Sequence, residues 1–310
     1  ITRAVLSKDS RLSIEACTVL SGEASQNAIA IELTRSTLSL SESVVRSDPM
    51  ANYSVGVLGE DSVVEIDHSQ FYLNARYGAI GIKTRGGQNR IEASRFAGQR
   101  ADEFLYLINQ EGGSGVFYNN TLVSGPTKDA AGVFLTRTQA DWVNNTILVG
   151  EGSNTTYGFF VRSSDSVRLI NNIVSGRKET LGTALFCVGA LPSEIRSNCF
   201  YGWEVLLEQS AETRGAKSTS TLKLDDLNAL DGNRKGGPID GNIEESPYKS
   251  FTISKEEDYH LRPTSLCINA GVNAGLAPYN GPTVDMEGEK RPAPHIGIRP
   301  AYDIGADEYH

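Results

Sequence analysis

The chain has 310 residues, of which 39% are hydrophobic and 22% charged, and it contains 31 glycines and 11 prolines. This is the composition of a globular protein, not of a disordered one. The net charge of −9, divided into −2 for residues 1–200 and −7 for residues 201–310, argues against nucleic acid as a partner, because phosphate backbones bind basic faces. No apolar run reaches the roughly 18 residues of a transmembrane segment.

An internal repeat of 25–27 residues begins near the N-terminus and continues to about residue 207. Three columns of equivalent positions carry it. The first contains Ile14, Leu40, Ile66, Ile91, Phe117, Trp142, Leu169 and Ile195. The second, three residues later, contains Cys17, Ser43, Ser69, Ser94, Asn120, Asn145, Asn172 and Asn198. The third, about nine residues before the first, contains Val5, Ile31, Val57, Ile82, Leu107, Phe134, Phe160 and Phe186.

Short runs of alternating apolar and polar residues between Gly, Asn and Ser predict strands and tight turns, one coil per repeat. The fold class is therefore all-β, a right-handed parallel β-helix with about 26 residues per coil over residues 1–207. Stacking at about 4.8 Å turns the apolar columns into internal stacks. The asparagines of the second column are predicted to bond one another in a ladder, and the small residues in its N-terminal half to occupy the same turn without one.

The larger aromatic side chains of the repeat are expected inside the stack: Phe134, Phe159, Phe160 and Phe186. An outward Phe159 that forms a sugar-stacking surface with Tyr157 is the alternative.

Residues 208–310 are predicted to form an irregular capping segment on the end of the solenoid. Ser220–Gly232 is the best helix candidate, because it has a Ser/Thr start and a glycine stop. A helix there would block the unpaired strand edge of the last coil. Since residues 1–13 already have the coil pattern, we expect further coils or a cap before Ile1.

At this level the repeat resembles the pectate-lyase-like superfamily of right-handed parallel β-helix proteins. The tail motifs Asp258-Tyr-His-Leu-Arg-Pro, Asp285-Met-Glu-Gly-Glu-Lys-Arg-Pro and Asp303-Ile-Gly-Ala-Asp-Glu-Tyr resemble the closing segment of bacterial surface proteins with a choice-of-anchor region. The resemblance implies an extracellular, periplasmic or cell-surface location. It implies no reaction, because the superfamily includes lyases, hydrolases and adhesins.

Ionisable residues predicted to face outward cluster on coils three and four, namely Glu65, Asp67, Arg90 and Glu92. Repulsion between Asp67 and Glu92, stacked about 5 Å apart, would be relieved by Arg90 or by a calcium ion held by Glu65, Asp67 and Glu92. With His68 as a neighbouring acid or base, the catalytic candidates are Asp67, Arg90, Glu92 and His68.

Four nearby basic residues, Arg76, Lys83, Arg85 and Arg95, are predicted to bind an acidic ligand. In that interpretation Ca²⁺ or Arg90 neutralises a uronate carboxylate, which acidifies its α-proton for removal by an Arg or Lys. The alternative is a solvated sheet face whose cross-strand ion pairs contribute only about 0.2–1 kcal/mol each.

Two functions follow from this pattern. The first is a secreted or surface-attached β-helix protein that binds polysaccharide or a cell-surface glycan, or serves as a rigid structural or adhesive rod. The second is a polysaccharide lyase, or a glycoside hydrolase, that acts on an acidic glycan at the outer face of coils three and four.

The cysteines leave two states open. Cys17 and Cys199 are seven coils, about 34 Å, apart, which excludes a bridge between them. Cys199 and Cys267 can meet if the tail folds back over the last coil, and otherwise all four thiols, including Cys187, are free. In the tail itself, the acids Asp285, Asp303, Asp307 and Glu308 are candidates for calcium ligands or, alternatively, for loop caps.

Overall fold

The computed structural model describes residues 1–22, 26–150, 152–164, 166–211, 219–221, 224–230, 238–247, 260–274, 283–291 and 302–307, without the side chains of residues 177–181 and 219–221. It shows the predicted all-β parallel solenoid, in which each coil contributes one strand to each of three faces. The described part of the chain contains no helix that is long and apolar enough to cross a membrane.

Face I holds the long strands that open each coil. They are β1 (Thr2–Lys8), β4 (Asn27–Thr34), β7 (Tyr53–Glu60), β10 (Gly78–Arg85), β13 (Phe104–Glu111), β16 (Thr127–Thr136), β19 (Gly152–Arg162) and the later parts of β21 (Ile173–Val188) and β23 (Cys199–Ser210). Face II follows, with β2 (Arg11–Glu15), β5 (Thr37–Ser41), β8 (Val63–Asp67), β11 (Gln88–Glu92), β14 (Ser114–Tyr118), β17 (Gln139–Val143), β20 (Val167–Ile170), β22 (Glu194–Arg196) and β25 (Ile239–Asp240).

Face III closes each coil with short strands. They are β3 (Thr18–Leu20), β6 (Val44–Arg46), β9 (Gln70–Asn74), β12 (Arg95–Arg100), β15 (Thr121–Ser124), β18 (Thr146–Val149), the first residues of β21 and β23, and β26 (Ile243–Glu244). A short strand, β24 (Thr219–Thr221), pairs antiparallel with β23. All other described strand pairs between coils are parallel, and one continuous apolar core runs along the axis.

The first predicted column is confirmed. Its residues pair in register from Ile14 to Ile195, and the stack continues to Ile239. Phe117 and Trp142 stack at 4.0 Å between ring centroids and are fully buried. The alternation of buried and exposed residues in strands such as β8 explains why this column is visible in the sequence.

The asparagine ladder is also confirmed, and it extends further than expected. The Oδ1 atoms of Asn145, Asn172, Asn198 and Asn242 each accept the backbone N–H and the side-chain Nδ2 of the ladder asparagine one coil before. The serines of coils two to four occupy the same turn without a side-chain ladder, as expected, and bond the backbone instead. The hydroxyls of Ser43, Ser69 and Ser94 accept the backbone N–H of the coil before at 3.1 Å, because a serine oxygen reaches the same donor as an amide oxygen.

The third predicted column is correct only from Val5 to Ile82. Ile82 pairs with Ile108 and not with Leu107, and the column then continues through Val133, Phe159 and Leu185. The strands of face I bend at the residue before this column, so that neighbouring residues such as Leu107 and Ile108 are both buried. The bend interrupts strict alternation, and the aromatics assigned to the core one position further along lie outside.

The turn before the ladder explains why asparagine suits this position. The residue that precedes each ladder residue has a positive φ, from 42° at His68 to 64° at Gly241. Asn tolerates this left-handed conformation better than other residues with a Cβ. Asn119, Asn144 and Asn171 occupy it in the C-terminal coils.

The solenoid ends in a short helix, α1 (Leu224–Asn228), within the predicted range. Leu227 is buried against the core, and Asn228 exchanges hydrogen bonds with Asn242, the last residue of the ladder. Asn228 of the helix thereby accepts the last hydrogen bonds of the ladder, from the backbone N–H and Nδ2 of Asn242. Beyond residue 247, the described tail residues lie along the side of coils five to eight, where backbone groups of Val272 and Val284 accept from Asn171 and Asn119.

Candidate functional site

The four ionisable residues predicted on coils three and four do lie together on face II. Glu65 is in register with Arg90, and Asp67 with Glu92, on the neighbouring strands β8 and β11. All four line a shallow groove of about 290 Å³. The register of the repeat was therefore sufficient to predict that these side chains are neighbours.

Two side-chain pairs join charged groups in and beside this groove. Arg90 Nη2 donates to Glu92 Oε2 at 2.9 Å, and His68 Nδ1 lies 2.7 Å from Asp67 Oδ1. Both pairs are substantially exposed to water. Exposed pairs of this kind contribute little to stability and need no ligand to balance them. The catalytic roles and the calcium ion assigned to this groove stay predictions.

The predicted ligand-binding residues divide among three surfaces. Lys83 and Arg85 lie together on the outside of face I. Arg76 is in the connection to β10, beside Arg100 and Asp102. Arg95 is exposed on β12 of face III. The structure thus brings Lys83 and Arg85 together and leaves the other two elsewhere.

Lys83 and Arg85 line a second groove, which is larger than the one on face II and which we call the face I groove. It has a volume of about 750 Å³ and is lined by Leu58, Glu60, Lys83, Thr84, Arg85, Asn109, Glu111, Phe134, Thr136, Arg137, Arg162 and Ser163. These residues come from coils three to seven, which span about 19 Å at the inter-strand spacing. The groove therefore runs along the solenoid axis and can hold an extended ligand.

The face I groove carries an excess of positive charge. Of the described residues that line it, four are cations and two are carboxylates, a local net of +2 on a chain of net −9. Arg85 lies 3.3 Å from Glu111 and 4.0 Å from Glu60, and Arg137 also contacts Glu111. The side chains of Arg85 and Arg137 are each 65% exposed, so their guanidinium groups can bind an anion in the groove.

An aromatic strip continues from the groove along face I. The rings of Phe134 and Phe160 stack at 4.1 Å with an interplanar angle of 7°, and Phe160 and Phe186 stack at 5.4 Å. The prediction that these three aromatics lie in the core is wrong, because the bend in face I turns them outward. Phe159 is fully buried, so the alternative of an outward Phe159 is wrong too, whereas Tyr157 does lie beside Phe160 and Phe186.

The sequence interpretation missed Arg137 and Arg162 as groove residues. A usable signal existed for Arg162, because Glu60, Arg85, Glu111, Thr136 and Arg162 each stand six or seven residues before a first-column residue, and Arg137 directly follows Thr136. Their strands pair in register from Arg85 to Arg162. This column is polar and faces outward, and a search for apolar periodicity passes over it.

A second ionisable cluster on face II has a structural role. Arg168 lies 3.6 Å from Asp141 and 2.8 Å from Glu194. The pKa of Asp141 is raised, chiefly because the carboxyl is buried. The charge of Arg168 opposes this rise, and the charge of Glu194 adds to it. Arg168 also donates to the Ala274 carbonyl at 3.2 Å. The cluster therefore fastens the tail to coils six to eight.

The tail brings together groups that could hold a cation. His260, Glu287 and Asp307 place their ligand atoms within 4.8 Å of one another, as do Asp285, Glu287 and Glu289. Asp285 Oδ1 also accepts two backbone N–H groups of its own loop, from Glu287 and Glu289. This bonding is that of a loop cap, so both alternatives proposed for Asp285 and Asp307 stay open. Asp303 accepts the backbone N–H of Asn269, and Glu308 lies outside the described residues.

Asp307 makes the stability of the tail depend on pH. Burial is the main reason why the pKa of Asp307 rises to about 6, although the Leu261 N–H donates to it at 2.9 Å. The folded protein therefore keeps a proton that the unfolded chain releases near pH 4, and stability falls as pH rises from about 4 to 6. We expect Asp307→Asn, which keeps an acceptor oxygen without the charge, to remove this fall, worth about 3 kcal/mol for two pKa units.

The measurement is urea unfolding of both proteins at pH 4.5 and 7 with a chelator present, so that no bound cation offsets the charge. Asp102→Asn, on an exposed residue, is the matched control and should follow the wild type. An equal pH dependence for wild type and Asp307→Asn would contradict the assignment.

Comparison of the chain with protein-family models, with curated proteins and with solved structures gives no match. The class of protein is therefore defined by the fold and by the surface features alone. The protein is a parallel β-solenoid of about eight turns, with a basic groove along one face and its tail fastened along its side.

Proposed function

We propose that the protein binds an acidic polysaccharide in the face I groove, as a secreted or surface-attached protein. The observation that carries this proposal is the row of cations from Lys83 to Arg162 along the axis of an otherwise acidic chain. A linear polyanion can contact all of them in one extended conformation. The resemblance of the repeat to the pectate-lyase-like superfamily, and of the tail to choice-of-anchor surface proteins, supports a glycan ligand and an extracytoplasmic location.

Charge, and not ring stacking, selects the ligand in this proposal. The faces of Phe134, Phe160 and Phe186 cover one another, so the strip offers ring edges to a ligand. A sugar ring that stacks on an aromatic needs a free face. The aromatic strip is therefore an apolar border of the groove, and uronate or sulfate groups facing Lys83, Arg85, Arg137 and Arg162 provide the recognition.

The test is a binding titration with pectate, alginate and chondroitin sulfate, with dextran as the neutral control, at rising sodium chloride. We expect the acidic glycans to bind and dextran not to, and the affinity to fall with salt because exposed charges are screened within about 8 Å at physiological ionic strength. Equal binding of dextran, or no binding of any acidic glycan, would count against the proposal.

The same samples test the second candidate function, a lyase at the groove of Asp67, Arg90 and Glu92. These side chains do meet in the structure, which is what keeps that candidate open. A lyase produces unsaturated sugars that absorb in the ultraviolet. A rise in absorbance that Arg90→Ala abolishes and a groove variant such as Lys83→Ala does not would establish catalysis on face II.

A further inference from the structure

Two cysteines from distant parts of the chain meet beside the last coils. Cys199, at the start of β23, and Cys267, in the tail, are 68 residues apart in sequence, and both are fully buried. They share one apolar cluster with Ile173, Leu261 and Ile304. The Cys267 side chain is the main cause of a raised pKa of the Cys199 thiol, so the two side chains are close neighbours, and Cys199 Sγ also donates to the Glu245 carbonyl at 3.6 Å.

The other two cysteines are in different surroundings. Cys17 is exposed on the first coil, and Cys187 is buried in the main core. Neither belongs to the cluster that contains Cys199 and Cys267. The structure therefore selects one pair out of the combinations that four cysteines allow.

The backbone around each cysteine shows what a bond between them would join. Cys199 donates its N–H to Asn172 O at 2.8 Å and pairs with Ile243 of β26. The carbonyl of Cys267 accepts the N–H of Ile304 at 3.0 Å. A cross-link would connect the end of the solenoid with two segments of the tail, 260–274 and 302–307.

We propose that Cys199 and Cys267 are a disulfide site that locks the tail against the side of the last coils. The bond forms by exchange with a small-molecule disulfide such as oxidised glutathione. The thiolate of one cysteine attacks the glutathione S–S bond and releases one glutathione. The second cysteine then displaces the other glutathione, so that two thiol protons and two electrons leave the protein, one S–S bond is broken and one is formed.

The surroundings determine when this exchange can occur. The neighbouring Cys267 side chain, together with burial, holds the pKa of the Cys199 thiol well above its usual value. The thiolate, which is the attacking species, is therefore scarce in the folded protein, and an oxidant has no access to either sulfur. The bond is expected to form during folding, before the tail closes, and to resist reductants afterwards.

The first experiment refolds the reduced protein from denaturant with reduced and oxidised glutathione and then counts thiols under denaturing conditions. We expect two free thiols in the wild type, assigned to Cys17 and Cys187 by peptide mapping, and three in Cys199→Ser and in Cys267→Ser. Four free thiols in the wild type, or a bridge that includes Cys17 or Cys187, would overturn the proposal.

A second measurement compares stability and rates. The oxidised wild type should melt roughly 5–10 °C above the reduced protein, because the bridge closes a long loop. The double variant Cys199→Ala/Cys267→Ala should show no such shift with redox state. Folded reduced protein exposed to oxidised glutathione without denaturant should oxidise much more slowly than refolding protein, and equal rates would overturn the burial argument. Should refolding fail, mapping the protein expressed in an oxidising compartment reports the same bridge.

Discussion

Replacing Asn145 by leucine is expected to lower the free energy of unfolding by about 2–6 kcal/mol. Asn145 is fully buried, and its Oδ1 accepts both the backbone N–H and the side-chain Nδ2 of Asn120 at 3.0 Å. Its own Nδ2 donates to the Phe117 carbonyl and to Asn172. Leucine has nearly the same size, but it strands two donors on Asn120, and each stranded buried group costs about 1–3 kcal/mol.

Two variants determine whether this loss comes from the ladder. Asn145→Ser should cost less, because a serine hydroxyl accepts the backbone N–H of the preceding coil, as Ser94 does for Ser69. Asn154→Leu is the control, since Asn154 is exposed outside the ladder, and it should change stability by less than about 0.5 kcal/mol. Urea unfolding of the three variants gives the comparison. Equal stability of wild type and Asn145→Leu would mean that the column faces water.

The sequence predicts the parts of this fold in which one residue type repeats at one position. Ile14 through Ile195 were found because each lies inward on a short strand with regular alternation. The third column is wrong after Ile82 because the bend in face I buries two neighbouring residues, such as Leu107 and Ile108, so that alternation alone does not identify the column position. A local bend of this kind changes which side of the strand a residue faces without changing the spacing of the repeat.

The position of the tail has no counterpart in the repeat. It is fixed by bonds such as Asn171 Nδ2 to Val272 O and Asn119 Nδ2 to Val284 O, between residues 101 and 165 positions apart. Single long-range bonds of this kind leave no periodic trace in a sequence. The pairing of Cys199 with Cys267, in contrast, was one of the two states that the sequence left open, because geometry excluded the bridge between Cys17 and Cys199.

The sequence predicts the candidate sites in part, and the repeat register again explains which residues it identifies. Asp67, Arg90 and Glu92 are neighbours because the register of the first column determines their places on face II. Lys83 and Arg85 were assigned to an acidic ligand from a local excess of basic residues, but their partners in the groove, Arg137 and Arg162, come from coils six and seven. Only the outward polar column, followed through the repeat, connects Arg85 with Arg162, and Arg137 lies one residue after its member Thr136.

The double variant Arg85→Glu/Arg137→Glu is expected to weaken the binding of an acidic polysaccharide by on the order of 100-fold. The two substitutions change the face I groove from four cations and two carboxylates to two cations and four carboxylates, a local change from +2 to −2. A polyanion is then repelled where it was attracted. Because both side chains are 65% exposed, the melting temperature should change little, and that is measured alongside the titration.

The matched control is Arg76→Glu/Arg100→Glu, which changes the net charge of the chain by the same −4, from −9 to −13, on the separate surface beside Asp102. If the whole-protein charge governed binding, both double variants would lose affinity equally, and the groove would have no special role. If the groove binds the glycan, only the first variant loses it, and the affinity of the wild type should fall with salt while the residual affinity of that variant should not. Unchanged affinity in Arg85→Glu/Arg137→Glu would place the glycan on another face.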